Sequence, residues 1–136
     1  MDKVVQDAFE LACAARDRAY APYSGFNVGA VIKFKNSDNL YCGSNVENAV
    51  NGVSVCAERS AISHGISLKG ANPLEFVVVV THEADQFVSP CGACRQVLFE
   101  FCEDADVPVY IFRKGGEHIK KTIGELLPMA YKVKIF

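Results

Sequence analysis

Three cysteines have the residue type and the spacing to bind a metal ion. Cys91 and Cys94 are three residues apart, and Cys56 lies upstream of them in the chain. Thiolate sulfurs are soft ligands that suit Zn²⁺, and three protein ligands leave the fourth tetrahedral position open, as in catalytic zinc sites. The pattern therefore predicts one zinc ion held by Cys56, Cys91 and Cys94, with an open position for water.

Two side chains close to Cys56 fit the chemistry of such an ion. Zinc lowers the pKa of a bound water from about 15.7 towards about 7, and the released proton needs an acceptor. Glu58 is close enough to Cys56 to face the open position without ligating, and we predict that it shuttles the proton. Three thiolates carry more charge than the ion does, which weakens its effect on water. Arg59 shares a helix face with Cys56 and is predicted to hydrogen-bond the thiolates and offset that charge.

The same cysteines allow other interpretations, which the sequence leaves open. A CxxC pair such as Cys91 and Cys94 also occurs in thioredoxin-like redox proteins, although that pattern has no third cysteine beside a glutamate. A structural zinc site is a further hypothesis, and it needs a fourth ligand such as Cys42 or His64. A non-catalytic zinc or CxxC redox protein therefore stands as an alternative to an enzyme.

Two predicted helices position the cysteines. One covers Cys56–Ile66 and ends at Gly65 or Gly70, and the other covers Gly92–Cys102. The pair Ser89-Pro90 fits the N-cap and first position of the second helix, which places the next cysteine in its first turn. The positive ends of helix dipoles stabilise thiolates. The intervening chain is long enough for one helix, one strand and a return, so both helix N-termini can meet at one sheet edge.

The remaining segments predict a layered α/β sheet. Helical spacing covers Asp2–Tyr20, and a hairpin of two strands is predicted over Phe26–Lys35 and Leu40–Val46. The continuous β-branched run Phe76–Val80 is typical of a strand covered on both faces. The other predicted elements are a strand over Val107–Phe112, a short helix from Thr122 through Leu127 and an extended tail over Lys132–Phe136. This alternation of helices and strands indicates an α/β fold.

Composition excludes several classes of partner. The chain has 136 residues, 14 basic and 16 acidic side chains and a formal net charge of −2, without the basic stripe of a nucleic-acid binder. No apolar run is long enough for a membrane span. The first residues show no export signal, so we expect the six cysteines to be reduced and the protein to be cytoplasmic. The length predicts a single domain over residues 1–136.

The two cysteine motifs resemble the signature of the zinc-dependent deaminases of nucleobases. Blocks at residues 20–30, 45–49 and 125–131 look like the short cytidine deaminases, and all blocks occur in the family's order. The all-cysteine ligand set is similar to that of the homotetrameric branch. The resemblance implies a cytidine deaminase-like, three-layer α/β/α sandwich with a mixed, roughly five-stranded sheet. It also implies one Zn²⁺ in each subunit of a homotetramer.

The implied activity is zinc-dependent hydrolytic deamination of cytidine and deoxycytidine to uridine and deoxyuridine, with release of ammonia. This reaction belongs to pyrimidine salvage. Carried over from the family, Glu58 is the general acid/base, which takes a proton from water and delivers it to N3 of the ring. The main-chain N–H of Ala57 binds the pyrimidine O2, and the main-chain carbonyl of Ser89 orients the amino group.

Further implied contacts hold the sugar and the ring. Asn45 and Glu47 match residues that hydrogen-bond the ribose 3′-hydroxyl, so we expect free cytosine to be rejected. Phe26 matches an aromatic that lines the pyrimidine pocket, and Ala49 belongs to the same set of substrate contacts. Tyr131 stands where the family places an aromatic, usually Phe, that reaches a neighbour's base. The resemblance therefore implies active sites that neighbouring subunits complete.

Asn51 is a departure from the family pattern. The family commonly has Asn-Ala-x-Tyr, with the tyrosine near the 5′-hydroxyl of a neighbour's substrate, whereas this chain has asparagine at position 51. Asparagine can still donate and accept a hydrogen bond there, but it is shorter and not aromatic. A second hypothesis is therefore a deaminase of another cytosine-containing nucleoside, such as a blasticidin-type antibiotic.

Overall fold

A five-stranded sheet forms the middle layer of the structure, a computed structural model that describes residues 1–136. Its strands are β1 (Val28–Phe34), β2 (Tyr41–Ser44), β3 (Leu74–Thr81), β4 (Pro108–Phe112) and β5 (His118–Thr122). The helices are α1 (Lys3–Asp17), α2 (Ala57–Lys69), α3 (Gly92–Glu100) and α4 (Ile123–Leu126), with a 3₁₀ turn over Asn51–Val53.

The sheet is mixed, and its strand order is β2-β1-β3-β4-β5. The predicted hairpin of β1 and β2 is present; β1 also pairs antiparallel with β3, and β4 pairs antiparallel with β5. β3 and β4 are parallel, and α3 lies in the connection between them. Ligands of open α/β sheets bind at the carboxyl ends of the strands. This topology therefore brings the N-terminus of α3 near the end of β3, where a site is expected.

Two hydrophobic cores bury both faces of the sheet. Ile32 and Val79 share one core with residues of α2 and α3, whereas Val31 and Val78 share the other with residues of α1. The alternation explains why β3 is apolar at nearly every position: neither of its faces meets water. The predicted three-layer α/β/α sandwich is confirmed.

Two glycines let helices lie unusually close to the sheet. A Cβ atom on Gly43 of β2 would lie 2.3 Å from the backbone nitrogen of Ala61 in α2. A Cβ atom on Gly29 of β1 would lie 1.9 Å from the carbonyl oxygen of Ala12 in α1. Since side chains are excluded at both positions, the helices rest directly on the strands. The depth of α2, and of the cysteine that precedes it, is fixed in this way.

Several helix boundaries follow the predicted signals. α2 ends at Lys69, and Gly70 after it adopts a φ of 84°, which favours glycine. Thr122 and Glu125 form the predicted capping box at the start of α4. None of the helices combines the length and the apolar character that crossing a membrane requires.

Other boundaries differ from the prediction. α1 ends at Asp17 rather than at Tyr20, because Arg18 leaves helical geometry and its N–H closes the last turn. β1 begins at Val28 rather than at Phe26. β5 was missed because three of its five residues are exposed and polar, so it has no apolar pattern. The tail 132–136, predicted to be extended, forms no strand.

Candidate active site

The three predicted ligands form a compact cluster of sulfur atoms. The Sγ atoms of Cys56, Cys91 and Cys94 all lie within 4.8 Å of one another. Thiolates around one tetrahedral zinc ion, with Zn–S distances of about 2.3 Å, are ~3.8 Å apart, so the cluster has the size for a single ion. Neither Cys42 nor His64, the fourth ligands considered for a structural site, belongs to the cluster. The arrangement therefore fits a three-ligand site.

Cys56 and Cys91 lie at helix N-termini, but the N-cap of α3 is not the predicted residue. Cys91 is itself the N-cap of α3, with φ −66° and ψ 165°, so the prediction of Ser89 as N-cap and Pro90 as first helical residue is wrong. Cys56 is likewise the N-cap of α2, with φ −74° and ψ 156°. Neither side chain makes a capping hydrogen bond. Both sulfurs are thus available as ligands, and the first N–H groups of each helix have no intrahelical partner.

The charge balance of the cluster calls for a cation. Burial opposes ionisation of Cys91, but hydrogen bonds from the main-chain N–H groups of Cys94 and Ala93 and from the neighbouring thiols outweigh it and lower the pKa of Cys91. Burial, and then the charge of Glu58, raises the pKa of Cys94 far above its usual value. A third thiolate is therefore unfavourable unless a positive ion offsets it. Zn²⁺ supplies that charge and prefers sulfur ligands.

Arg59 contributes positive charge at the same cluster, as predicted. Its Nη2 atom donates to the Sγ atom of Cys56 at 3.4 Å. The interaction spans three residues of α2, which is the spacing that brings side chains onto one helix face. A guanidinium hydrogen bond withdraws charge from the sulfur and thereby moderates the negative charge of a three-thiolate site.

Glu58 is a buried carboxyl group beside the cluster. It lies in the first turn of α2 and its exposed fraction is only 5%. Burial raises its pKa, while its own main-chain N–H and the charge of Arg59 act in the opposite direction. A carboxylate whose pKa is raised accepts a proton more readily than an exposed glutamate does.

A cavity of about 270 Å³ opens next to the cluster. Its size is near the lower end of the range for small-molecule pockets, and its wall combines apolar side chains with a few polar ones. The predicted site residues that line it are Phe26, Asn45, Glu47, Cys56, Ala57, Glu58, Ser89 and Cys91. The structure thus brings together segments that are far apart in the sequence.

The far wall of the cavity is held by side-chain hydrogen bonds. The Oδ1 atom of Asn45 accepts from the N–H of Val28 at 2.8 Å, and its Nδ2 atom donates to the carbonyl oxygen of Phe26 at 2.9 Å. The carboxylate of Glu47 accepts from the N–H of Ser24 at 3.1 Å and from the Ser24 hydroxyl. These bonds, chiefly that from the Ser24 hydroxyl, lower the pKa of Glu47 and keep it charged.

Three predicted substrate contacts do not line the cavity of this chain. Ala49 is exposed, and Asn51 is exposed at the start of the 3₁₀ turn. Tyr131 is 78% exposed, and its carbonyl oxygen accepts from the Nε2 atom of Gln96 at 3.0 Å. These side chains are therefore free to meet another molecule.

Sequence reasoning missed several lining residues. Val79 and Thr81 end β3, and Val88 precedes the segment that enters α3. The position of Val79 and Thr81 follows from the rule that ligands bind at the carboxyl ends of strands, so topology could have predicted them. Ser24 and Val28 lie in or beside the loop before β1, and only the folded arrangement places them in the cavity.

A family model and individual relatives of this chain indicate the same family. The family described as "Cytidine and deoxycytidylate deaminase zinc-binding region" matches residues 2–111. A cytidine deaminase of Sporosarcina psychrophila is 40% identical over 117 residues, which cover 86% of this chain and 83% of the relative. A blasticidin-S deaminase of Bacillus cereus is 33% identical over 112 residues, 77% of this chain and 76% of the relative.

A solved structure shows the same fold. The crystal structure of cytidine deaminase from Burkholderia pseudomallei superposes with a TM-score of 0.85 at 36% sequence identity. The alignment covers 96% of this chain and all of the other. The sheet order and the layered helices of this chain are thus those of an enzyme whose structure is known.

Proposed function

The chain belongs to the cytidine and deoxycytidylate deaminase family, and from this premise we propose that it hydrolyses cytidine and deoxycytidine to uridine and deoxyuridine. The observation that carries the proposal is a buried carboxyl group, Glu58, in one cavity with Cys56 and Cys91, two members of a cluster of three cysteines. Cys56, Cys91 and Cys94 would hold one Zn²⁺, which when bound supplies a Lewis acid that makes water more acidic.

Glu58 moves the protons in this proposal. It takes one from the attacking water and delivers it to N3 of the pyrimidine, while the water oxygen forms a bond to C4. The hydrogen that remains on this oxygen then passes through Glu58 to the amino nitrogen as the bond between C4 and that nitrogen breaks, so that C4 becomes a carbonyl and the nitrogen leaves as ammonia. Its burial beside the cysteines supports this role, because burial raises its pKa and makes the carboxylate a better proton acceptor than an exposed glutamate.

Main-chain groups orient the ring. Ala57 is the first residue of α2 and is fully buried in the cavity wall, so its N–H has no intrahelical partner and can donate to the pyrimidine O2. Ser89 also lines the cavity, and its carbonyl oxygen can accept from the amino group. Phe26 supplies an apolar face for the ring.

Asn45 and Glu47 are the proposed contacts to the ribose 3′-hydroxyl. Each amide atom of Asn45 makes one hydrogen bond within the protein, which leaves a second acceptor site and a second hydrogen for a ligand. The charged Glu47 carboxylate also retains acceptor capacity. A substrate without the sugar leaves these groups unpaired in the cavity, which disfavours free cytosine.

The assembly we propose is a cytoplasmic homotetramer whose neighbours complete each site. Tyr131, Asn51 and Ala49 are exposed and do not line the cavity of their own chain, and Val50, Val53 and Met129 beside them are exposed apolar side chains. Such side chains favour contact with a second copy. The six cysteines are unpaired, which suits a reducing compartment and a role in pyrimidine salvage there.

A second candidate substrate is a blasticidin-type nucleoside. The similarity to a blasticidin-S deaminase and the asparagine at position 51 favour this candidate, because the expected tyrosine beside the 5′ position is missing. The chemistry at C4 would be the same in both cases, so the two hypotheses differ only in the part of the ligand that lies beyond the ring.

Turnover of a panel of substrates tests the proposal. Ultraviolet absorbance would follow deamination of cytidine, deoxycytidine, free cytosine and blasticidin S by one preparation. We expect efficient turnover of both nucleosides and almost none of cytosine. Turnover of blasticidin S alone would replace the first candidate by the second, and activity on none of the four would refute the proposed function.

A further inference from the structure

The loop that carries Ser89 has little backbone support. β3 ends at Thr81 and α3 begins at Gly92, and no main-chain hydrogen bond reaches residues 86–90. Val88 and Ser89 nevertheless form part of the cavity wall. Other groups must therefore hold this wall in one position.

Arg95 provides all the side-chain hydrogen bonds that residues 86–90 receive. Its Nε atom donates to the carbonyl oxygen of Pro90 at 2.7 Å, and its Nη2 atom donates to the hydroxyl of Ser89 at 2.6 Å. Its Nη1 atom donates to the carbonyl oxygen of Leu126, the last residue of α4, at 2.6 Å. One half-buried guanidinium thus joins the cavity loop to α3 and to the end of α4.

We propose that Arg95 is a positioning residue for the reaction, acting through Ser89 and Pro90. The inference rests on the proposed function, in which the Ser89 carbonyl orients the amino group that leaves. A shift of about 1 Å at a reacting group can lower the rate about 100-fold, so a loop without main-chain hydrogen bonds needs side-chain hydrogen bonds to hold it. We call the three hydrogen bonds of Arg95 the clamp. The clamp should affect the chemical step more than substrate binding, because the proposed sugar contacts, Asn45 and Glu47, bond to residues 23–28 and not to residues 86–90.

Lysine cannot reproduce this clamp. The three acceptors belong to three different residues in two segments, and the guanidinium reaches them with three separate nitrogen atoms in one plane. A lysine ammonium is a single nitrogen on a flexible stem and cannot bridge the same span. Arg95→Lys therefore keeps the positive charge but cannot make the three hydrogen bonds at once.

Arg113, which follows β4, is a matched control because it contacts the same loop. Its Nη1 atom donates to the carbonyl oxygen of Asp85 at 3.2 Å, and its guanidinium lies 4.4 Å from the ring centre of Phe87. It also pairs with Glu117. None of these partners lines the cavity. Arg113 therefore supports the loop without touching the part that faces the substrate.

The test compares the zinc-loaded wild type with Arg95→Lys, Arg95→Met and Arg113→Met. Zinc per chain, melting temperature, kcat per zinc-bearing chain and KM for cytidine are measured for each. We expect both Arg95 variants to lose about 10- to 100-fold in kcat with KM within about threefold of wild type. Arg113→Met should keep kcat within about twofold even where its melting temperature falls.

Two results would overturn the inference: a kcat for Arg95→Lys within twofold of wild type, or an equal loss in Arg113→Met. Should the Arg95 variants fail to fold, Ser89→Ala removes one acceptor alone and should lower kcat severalfold, and an unchanged kcat contradicts the inference. A wild type that deaminates no nucleoside refutes the proposed function and this inference with it. An active wild type with an unaffected Arg95→Lys refutes this inference alone.

Discussion

The cavity has two walls that are built in different ways. The metal wall, formed by Cys56, Ala57, Glu58 and Cys91, lies at the N-termini of two helices that pack on the sheet, and Cys94 completes its sulfur cluster. The loop wall, formed by Ser24, Phe26, Asn45 and Glu47, lies in irregular segments held mainly by side-chain hydrogen bonds. In the metal wall Ala57 and Glu58 are buried and Cys91 is exposed, whereas Phe26 on the loop wall is 37% exposed.

Under the proposed function, this difference separates most of the chemistry from recognition. The proposed proton shuttle and metal ligands stand on or beside rigid helices, where packing fixes them, whereas Ser89 stands on a loop that Arg95 holds. The proposed sugar contacts stand on loops, which tolerate sequence change. Substitutions in the metal wall should therefore greatly lower kcat, and substitutions in the loop wall should alter which substrate is accepted.

The largest expected effect comes from the metal wall. Glu58→Gln keeps the size of the side chain but removes the group that accepts and releases protons, so kcat should fall by about 10²- to 10⁴-fold. Zinc content and melting temperature should stay close to wild type. Glu10→Gln, on the exposed side of α1, is the control and should be fully active. A Glu58→Gln protein with normal kcat would show that the metal wall does not supply the proton transfer.

A smaller effect is expected from the loop wall. We expect kcat/KM for 3′-deoxycytidine to be about 10- to 100-fold lower than for cytidine, since one hydrogen bond to a charged partner contributes about 1.5–3 kcal/mol. In Asn45→Ala the same comparison should give a smaller ratio, because one of the two partners is gone. Equal ratios in wild type and variant would remove Asn45 from the sugar contacts.

Still smaller is the effect expected from the exposed C-terminal side chain. Tyr131→Ala should raise KM for cytidine by about 3- to 10-fold, the loss of one aromatic contact of roughly 0.5–1.5 kcal/mol. If the contact comes from a neighbour, wild-type specific activity should also fall on dilution. Sedimentation at the same concentrations would follow the assembly. Specific activity that stays constant while the assembly dissociates would contradict the shared site.

The smallest effect concerns stability and pH. Hydrogen bonds lower the pKa of Glu47 from its ordinary 4.5, so its contribution to stability is present above pH 4.5 and is lost as the pH falls through the lowered pKa. Glu47→Gln should therefore melt below wild type near pH 7, and the difference should shrink in acid. A difference that does not change between pH 3 and pH 7 would argue against a charged Glu47 in the fold.

The metal wall could be predicted from the sequence because its signals are local. The CxxC spacing and the Cys-x-Glu-Arg segment place the predicted ligands, the glutamate and the arginine within a few residues of helix starts. Helix geometry then brings residues three apart onto one face. The error at Ser89 and Pro90 arose because serine followed by proline is a common helix start, whereas Cys91 adopts the extended backbone angles of the N-cap. Capping preferences alone did not distinguish Ser89 from Cys91 as the N-cap of α3.

The loop wall could be predicted less completely. Asn45 and Glu47 were identified by resemblance, whereas their bonds to residues 23–28 depend on loop contacts between distant segments. The role of Arg95 had no signal either, because its three acceptors come from two segments that only the fold brings together. Long-range contacts of this kind leave no periodic pattern in a sequence.

Metal analysis of purified protein, paired with cytidine turnover on the same sample, tests the central claim most directly. The account predicts one zinc ion per chain bound by sulfur ligands, with activity that disappears when the ion is removed and returns when zinc alone is restored. Active protein without zinc, or an ion surrounded by four protein donors, would contradict it.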